Sequence, residues 1–312
     1  MEALLEQIQH KYRHLGQDPQ TYLKGLLHMR PLTYWDYIQV DTLLSLQHPR
    51  TNFPDEVVFI VYHQITELML KLIRHELDQL TIGPLPSAEV FEEKTQRLVR
   101  YTRLLIMSFS IMNQGMRSEE YSQFRLALAP ASGFQSAQFR YIELQCTSLE
   151  NLVPPHRRSA LRPDLSWEEK FQLLYWQDAG YDPVTGKKSL TLQEFEDHYL
   201  TSLIEMARRM ENDNLYRRYL DLARRGEDGD HLRAALRLFD YTFNVSWPLV
   251  HLQTAHTYLG SGHEETAATG GSHWEKYLHP KYQKRIFFPA LWTEVEQARW
   301  GEIEVHAGAG AV

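Results

Sequence analysis

The chain holds one cysteine, Cys146, among 312 residues. A single thiol closes no intramolecular disulfide, builds no thiolate metal cluster and offers no thioether pair. It fits a reducing compartment, so the expected location is the cytoplasm. Positive charge is also short: 33 Lys and Arg stand against 40 Asp and Glu, a formal net charge of −7. That balance argues against a nucleic acid partner. No apolar run approaches the roughly 20 residues needed to cross a bilayer. The stretch after Met1, EALLEQIQHKYRH, lacks the apolar core of a signal peptide. Strand-like alternation is nearly missing, as are repeats and low-complexity tracts. What remains is helical periodicity, and the expected fold class is all-α, a helical bundle in a single domain.

The periodicity predicts helices over 55–80, 88–114, 136–151, 167–177, 190–211, 213–225 and 229–257. In the first, Val58, Val61, Ile65, Leu68, Leu72 and Leu77 fall on roughly one face. Pro54, Asp55 and Glu56 suit its first turn. Residues 1–30 read as an N-terminal helical segment, 31–300 as the main domain, and 301–312, ending in AGAGAV, as a disordered tail.

Several polar residues stand out, each with a bland alternative. His63 sits one turn after Phe59 on an amphipathic helix, where a satisfied core histidine is the commoner case. Arg125 follows Tyr121 by four residues. It can pair with a protein carboxylate or clamp a substrate carboxylate with its fork of donors. The turn that follows, with Ser132 and Gly133, lets a backbone approach a ligand closely. His251 and His256 are five apart, so on one helix they point about 140° from each other and cannot share a metal. Either could serve as a single axial ligand. Residues 266–273, TAATGGSH, read as a glycine-hinged loop in which Thr269 offers a hydroxyl. No Gly-x-Ser-x-Gly, His-Glu-x-x-His or paired Glu-x-x-His motif is present.

Taken together these segments resemble the tryptophan 2,3-dioxygenase family of haem-dependent aromatic oxygenases. The matching pieces are Tyr34-x-x-Tyr37, Phe59-x-x-x-His63-Gln64 with Glu67-Leu68, Phe124-Arg125, the block Pro130-Ala-Ser-Gly-Phe-Gln-Ser136 with Gln138-Phe-Arg140 and Glu143, Trp247-x-x-x-His251, Thr269-Gly-Gly-Ser272, Tyr277-Leu278 and Phe288-Pro-Ala-Leu-Trp292. They follow the family's order across roughly residues 30–295.

The resemblance implies non-covalent haem b, with its iron held axially by His251, and O2 as co-substrate. It implies an amino-acid substrate: His63 meeting the indole N–H, Phe59 and Tyr121 walling the pocket, Arg125 clamping the carboxylate and Thr269 at the ammonium and carboxylate. Ser132 would lie on the distal side near the haem. Tyr34 would reach a neighbouring subunit's pocket in a homotetramer, a dimer of dimers. The expected reaction is oxygenation at the indole C2–C3 edge of L-tryptophan or a substituted tryptophan, giving an N-formylkynurenine-type product. The alternatives are mono-oxygenation of tryptophan or a methylated tryptophan to a 2-oxindole, tyrosine hydroxylation, or a haem sensor without turnover. The chain departs from the family pattern at Ala268, His273 and Trp274 around the loop, at Pro248, Leu249 and Thr257 around His251, and at Met69-Leu70.

Overall fold

The computed structural model describes residues 1–129, 131–181, 186–259 and 279–302. Among them every extended element is absent except one isolated bridge, Tyr181 with Lys188, and the fold is all-α. The loop at 266–273, the Tyr277-Leu278 pair, Pro130 and all but two residues of the 301–312 tail lie outside the described residues.

Two compact units divide the chain, Met1–His48 and Pro49–Val312. The first carries α1 (Glu2–His14), α2 (Pro19–Leu26), α3 (Tyr34–Ile38) and α4 (Val40–Leu43). Asp18 starts α2 by accepting from Gln20 N at 3.2 Å and Thr21 N at 3.1 Å, the usual satisfaction of free first-turn donors. Tyr12 stacks on Tyr22 at 4.1 Å, joining α1 to α2. Gln39, with φ of 53°, separates α3 from α4 in the left-handed region. This unit buries no large apolar side chain; Leu27, Tyr34, Tyr37 and Leu44 are all at least 70% exposed.

The second unit is built on two long helices, α5 (Asp55–Thr81) and α6 (Ala88–Gly115). In α6, Phe91, Leu98, Leu105 and Met112 recur every seven residues, two turns, and all are buried. Thr95 and Thr102 fill the stripe between them, each donating its hydroxyl back to its own helix at 2.8 Å. In α5 the buried face is Tyr62, Leu70, Ile73, Leu77 and Leu80. The sequence expectation placed Leu68 and Leu72 on that face, but both are exposed, at 46% and 40%. Each lies two residues from Leu70, about 200° around the helix, so both turn away from α6. Full burial of a leucine is worth roughly 1.5–3 kcal/mol, which makes the Leu70 stripe decisive for how α5 docks.

Around this pair stand α7 (Ser118–Phe124), α8 (Ala137–Cys146), α9 (Trp167–Gln172), α10 (Leu190–Met210), α11 (Leu215–Arg224), α12 (Asp230–Tyr241), α13 (Trp247–Leu259), α14 (Pro280–Gln283) and α15 (Glu294–Ala298). Three predicted helices are interrupted. The 136–151 helix stops at Cys146, because Thr147 is extended and donates its hydroxyl to Phe287 O at 2.7 Å. The 167–177 helix breaks after Gln172 and resumes as a 3-10 turn, Tyr175–Gly180. The 229–257 helix widens into a π-turn at Thr242–Ser246 before α13. Pro248 accounts for this: it has no N–H for the Asn244 carbonyl, and its ring needs the room that a wide turn provides.

Candidate active site

Phe59 and His63 share one face of α5, with ring centroids 4.2 Å apart. The start of α5 is tied to α7: Asp55 Oδ2 accepts from Arg117 N at 2.7 Å, and Glu120 Oε2 accepts from Asp55 N at 3.3 Å. That brings Tyr121 to 6.0 Å from Phe59, with Phe124 edge-on to both. Tyr258, near the end of α13, reaches Tyr121 at 5.0 Å. Its hydroxyl donates to the carbonyls of Met112 and Met116 at the end of α6. An aromatic wall therefore runs from His63 through Phe59 and Tyr121 to α13.

A second run of rings joins His63 to His251. Tyr62 meets His63 edge-on at 5.2 Å, Phe109 lies 5.5 Å from Tyr62, and His251 lies 5.6 Å from Phe109. The two histidines are close enough that charge on His63 disfavours charge on His251.

The protonation of each follows from its surroundings. His63 Nδ1 lies 2.8 Å from Phe59 O. A carbonyl oxygen can only accept, so Nδ1 carries the hydrogen and Nε2 keeps a free lone pair. Burial holds the His63 pKa below its ordinary value, against the opposing pull of Phe59 O and the Glu67 carboxylate. Burial, then His63, pushes His251 down to about 4. His251 is nevertheless exposed to solvent. Both descriptions hold for a side chain with many protein atoms around it and one side open to water. Water there moderates the shift, and the direction stands: His251 is a neutral imidazole at pH 7. Neither of its nitrogens has a hydrogen-bond partner among the described residues. His256, five residues on, is exposed.

The turn after α7 carries two more of the singled-out residues. Arg125 is half-buried, and its N–H still bonds Tyr121 O, so it continues the helix that presents Tyr121. Ser132 caps a 3-10 turn, Gly133–Gln135. Its hydroxyl accepts from Phe134 N at 3.3 Å, and Gln135 Oε1 accepts from Ser132 N at 3.3 Å. A Cβ placed on Gly133 would meet no atom, so this backbone borders open space. At the second position of α8, Gln138 donates to Glu67 O at 2.8 Å and Glu67 Oε2 at 2.9 Å, locking the motif to the turn of α5 after His63.

Behind that turn lies a buried ionic cluster. Glu143 accepts from Arg140 at 3.1 Å, from Arg285 at 2.8 Å and from the Tyr175 hydroxyl at 2.5 Å. A charge taken from water survives only with such partners. The Arg140 and Glu143 pattern in the sequence is therefore structural here.

The structure brings His63, Phe59, Tyr121 and His251 into one connected set of rings, with Arg125 and Ser132 on the adjoining turn. Tyr34 belongs to the first unit, where it is 71% exposed. Thr269 lies outside the described residues. Tyr62, Phe109 and Tyr258 went unnoticed in the sequence. Tyr258 could have been found, seven residues and two turns after His251. Phe109 could not, because its place depends on how α5 packs against α6.

Residues 24–159 match the family model of tryptophan 2,3-dioxygenase. A tryptophan 2,3-dioxygenase of Polaromonas sp. is 30% identical over 280 residues, covering 84% of this chain and 87% of the relative. One from Geobacillus thermodenitrificans is 29% identical over 269 residues, covering 84% and 91%. One from Ruegeria sp. reaches 37% over a shorter stretch of 130 residues, 40% and 45% of the two chains. The chain belongs to the tryptophan 2,3-dioxygenase family. As a member it is an oxidoreductase of the haem-dependent class.

The residues present fit a haem. His251 offers a neutral, unpartnered nitrogen beside the Phe109 ring. Trp247, one turn earlier on α13, has its indole N–H buried without a partner. The backbone at Gly133 borders space that a flat group can enter.

Proposed function

We propose that this protein uses O2 to cleave the indole ring of L-tryptophan between C2 and C3, giving an N-formylkynurenine-type product. The observation that carries the reading is the pairing of two neutral histidines along one aromatic lining, one with a free acceptor nitrogen and one with no protein partner. Family membership supports the substrate and the reaction.

Haem b would be held by His251, with Ser132 near it, and would supply the activation of O2. The chain's own residues do the rest. His63 Nε2 accepts the indole N–H and turns the ring's C2–C3 edge to a fixed place. Phe59 and Tyr121 pack the ring's faces and keep water out. Arg125 pairs with the substrate carboxylate, which would otherwise be costly to desolvate. Thr269 completes the grip at the ammonium. Product mass after incubation of reduced enzyme with L-tryptophan and isotopically labelled O2 tests this. Two labelled oxygens in a ring-opened product are expected; one labelled oxygen in a closed ring overturns it in favour of mono-oxygenation.

The active form is proposed to be a homotetramer, a dimer of dimers in which Tyr34 completes a neighbouring pocket. The exposed Leu27, Tyr34, Tyr37 and Leu44 of the first unit support this, since apolar side chains so exposed mark contact surfaces. Cytoplasmic action is consistent with the lone, buried Cys146. No helix among the described residues is long and apolar enough to cross a membrane.

A further inference from the structure

A separate concavity, of about 220 Å3, lies at the end of α8 away from the Ser132 turn. It is bounded by the end of α8, the 3-10 turn Leu149–Leu152, the start of α9 and the junction of α10 with α11. None of His63, Tyr121, Arg125 or His251 lines it. Its volume is below the roughly 300 Å3 at which sites for larger ligands begin, and so suits a single ring.

Its chemistry is mixed in a specific way. Leu144, Leu161 and Met210 give it apolar surface, and the half-buried Trp167 indole adds an aromatic face. Lys170 holds its ammonium 4.8 Å from the centre of that indole. Arg217, in the first turn of α11, has no ion pair among the described residues, although its backbone N–H is fixed at 3.0 Å by Asn214 Oδ1. Arg162 has only a long contact of 3.4 Å to the exposed Asp164. The Ser148 hydroxyl oxygen is buried there with no hydrogen-bond partner, and it makes no bond to the turn it caps. Glu150 and Glu211 also border the cavity, so three cations face two carboxylates.

An aromatic side chain, an Arg217 without an ion pair and an excess of cations over carboxylates form a combination that suits an anionic aromatic ligand. We propose that this cavity is a second binding site, for a small aromatic carboxylate. The ring lies against Trp167 and the apolar floor, and the carboxylate takes Arg217 and Lys170.

Calorimetric titration with phenylacetate tests it on the whole protein. Saturable binding is expected, weakened about tenfold or more by Arg217→Glu, a change that reverses a charge at an exposed, unpaired side chain and so leaves the fold alone. Trp167→Ala should weaken it independently. Benzylamine, with the same ring and the opposite charge, should not bind at the same concentrations. The proposal is overturned by an absence of saturable heat, by equal binding of benzylamine, or by an affinity unchanged in Arg217→Glu. It is equally overturned if Arg125→Ala abolishes phenylacetate binding while Arg217→Glu leaves it intact, since the ligand then occupies the first site.

Discussion

His63 and His251 are both neutral imidazoles held down by burial, yet the protein treats them differently. His63 is oriented by its own helix: Phe59 O takes the Nδ1 hydrogen and so decides which nitrogen faces outward. His251 has no such partner. A neutral imidazole whose nitrogens no protein group engages is open to a ligand from outside the chain. The contrast separates two jobs. His63 is finished by the protein and presents an acceptor. His251 is left open by the protein, and it is the residue proposed to hold the haem iron. The most severe way to break this contrast is His251→Ala. Loss of most bound haem, read from the Soret absorbance of the purified protein, is the expected outcome. Haem retained with an unchanged spectrum would shift the axial bond to His256 or elsewhere, and the contrast would lose its meaning.

Arg125 sharpens the same comparison from the substrate side. His63 is proposed to recognise the indole, and Arg125, on the turn that continues α7, the carboxylate. Removing one partner of a desolvated charge pair costs about 2–5 kcal/mol. Arg125→Ala should therefore weaken tryptophan binding by tens to thousands of fold, while Arg125→Lys restores little, because an ammonium cannot form the two-pronged pair. Tryptamine has the ring without the carboxylate, and its binding should hardly change. Equal weakening of both ligands, or an unfolded variant, would assign Arg125 to a structural ion pair.

The parts of this molecule legible in the sequence are those set by local spacing. Phe59 and His63 are one turn apart, and no packing is needed to place them together. The bounds of α5 and α6 follow from their first-turn residues and from Gly115. Other features depend on what packs against what. Leu68 and Leu72 look like core residues until α6 claims the opposite face of α5. The π-turn at Thr242–Ser246 was readable only as a warning from Pro248. Phe109, which connects His251 to Tyr62, carries no local signal at all. Arg140 and Glu143 sit in the most distinctive motif of the chain, and their use lies behind the site, in a cluster completed by Arg285 from 142 residues away.

The finest test concerns protons. In the unfolded chain both histidines titrate near about 6.5. In the fold burial lowers both, His251 to about 4. Below pH 6.5 the unfolded chain therefore takes up protons that the fold refuses, and stability falls with acidification until the folded groups also protonate. Above pH 6.5 both states are neutral and these groups contribute no slope. Asp240 acts with the opposite sign: burial raises it to about 6, so the fold binds its proton first and gains stability on acidification. The wild-type curve mixes these effects, and the comparison must be made between variants of the haem-free protein. Denaturant unfolding at pH 7.5, 6.5 and 5.5 should show stability dropping less steeply in His63→Phe than in wild type. Parallel curves would mean that His63 accepts a proton in the fold as easily as in water. The fixed tautomer, and with it the contrast between the two histidines, would then have to be given up.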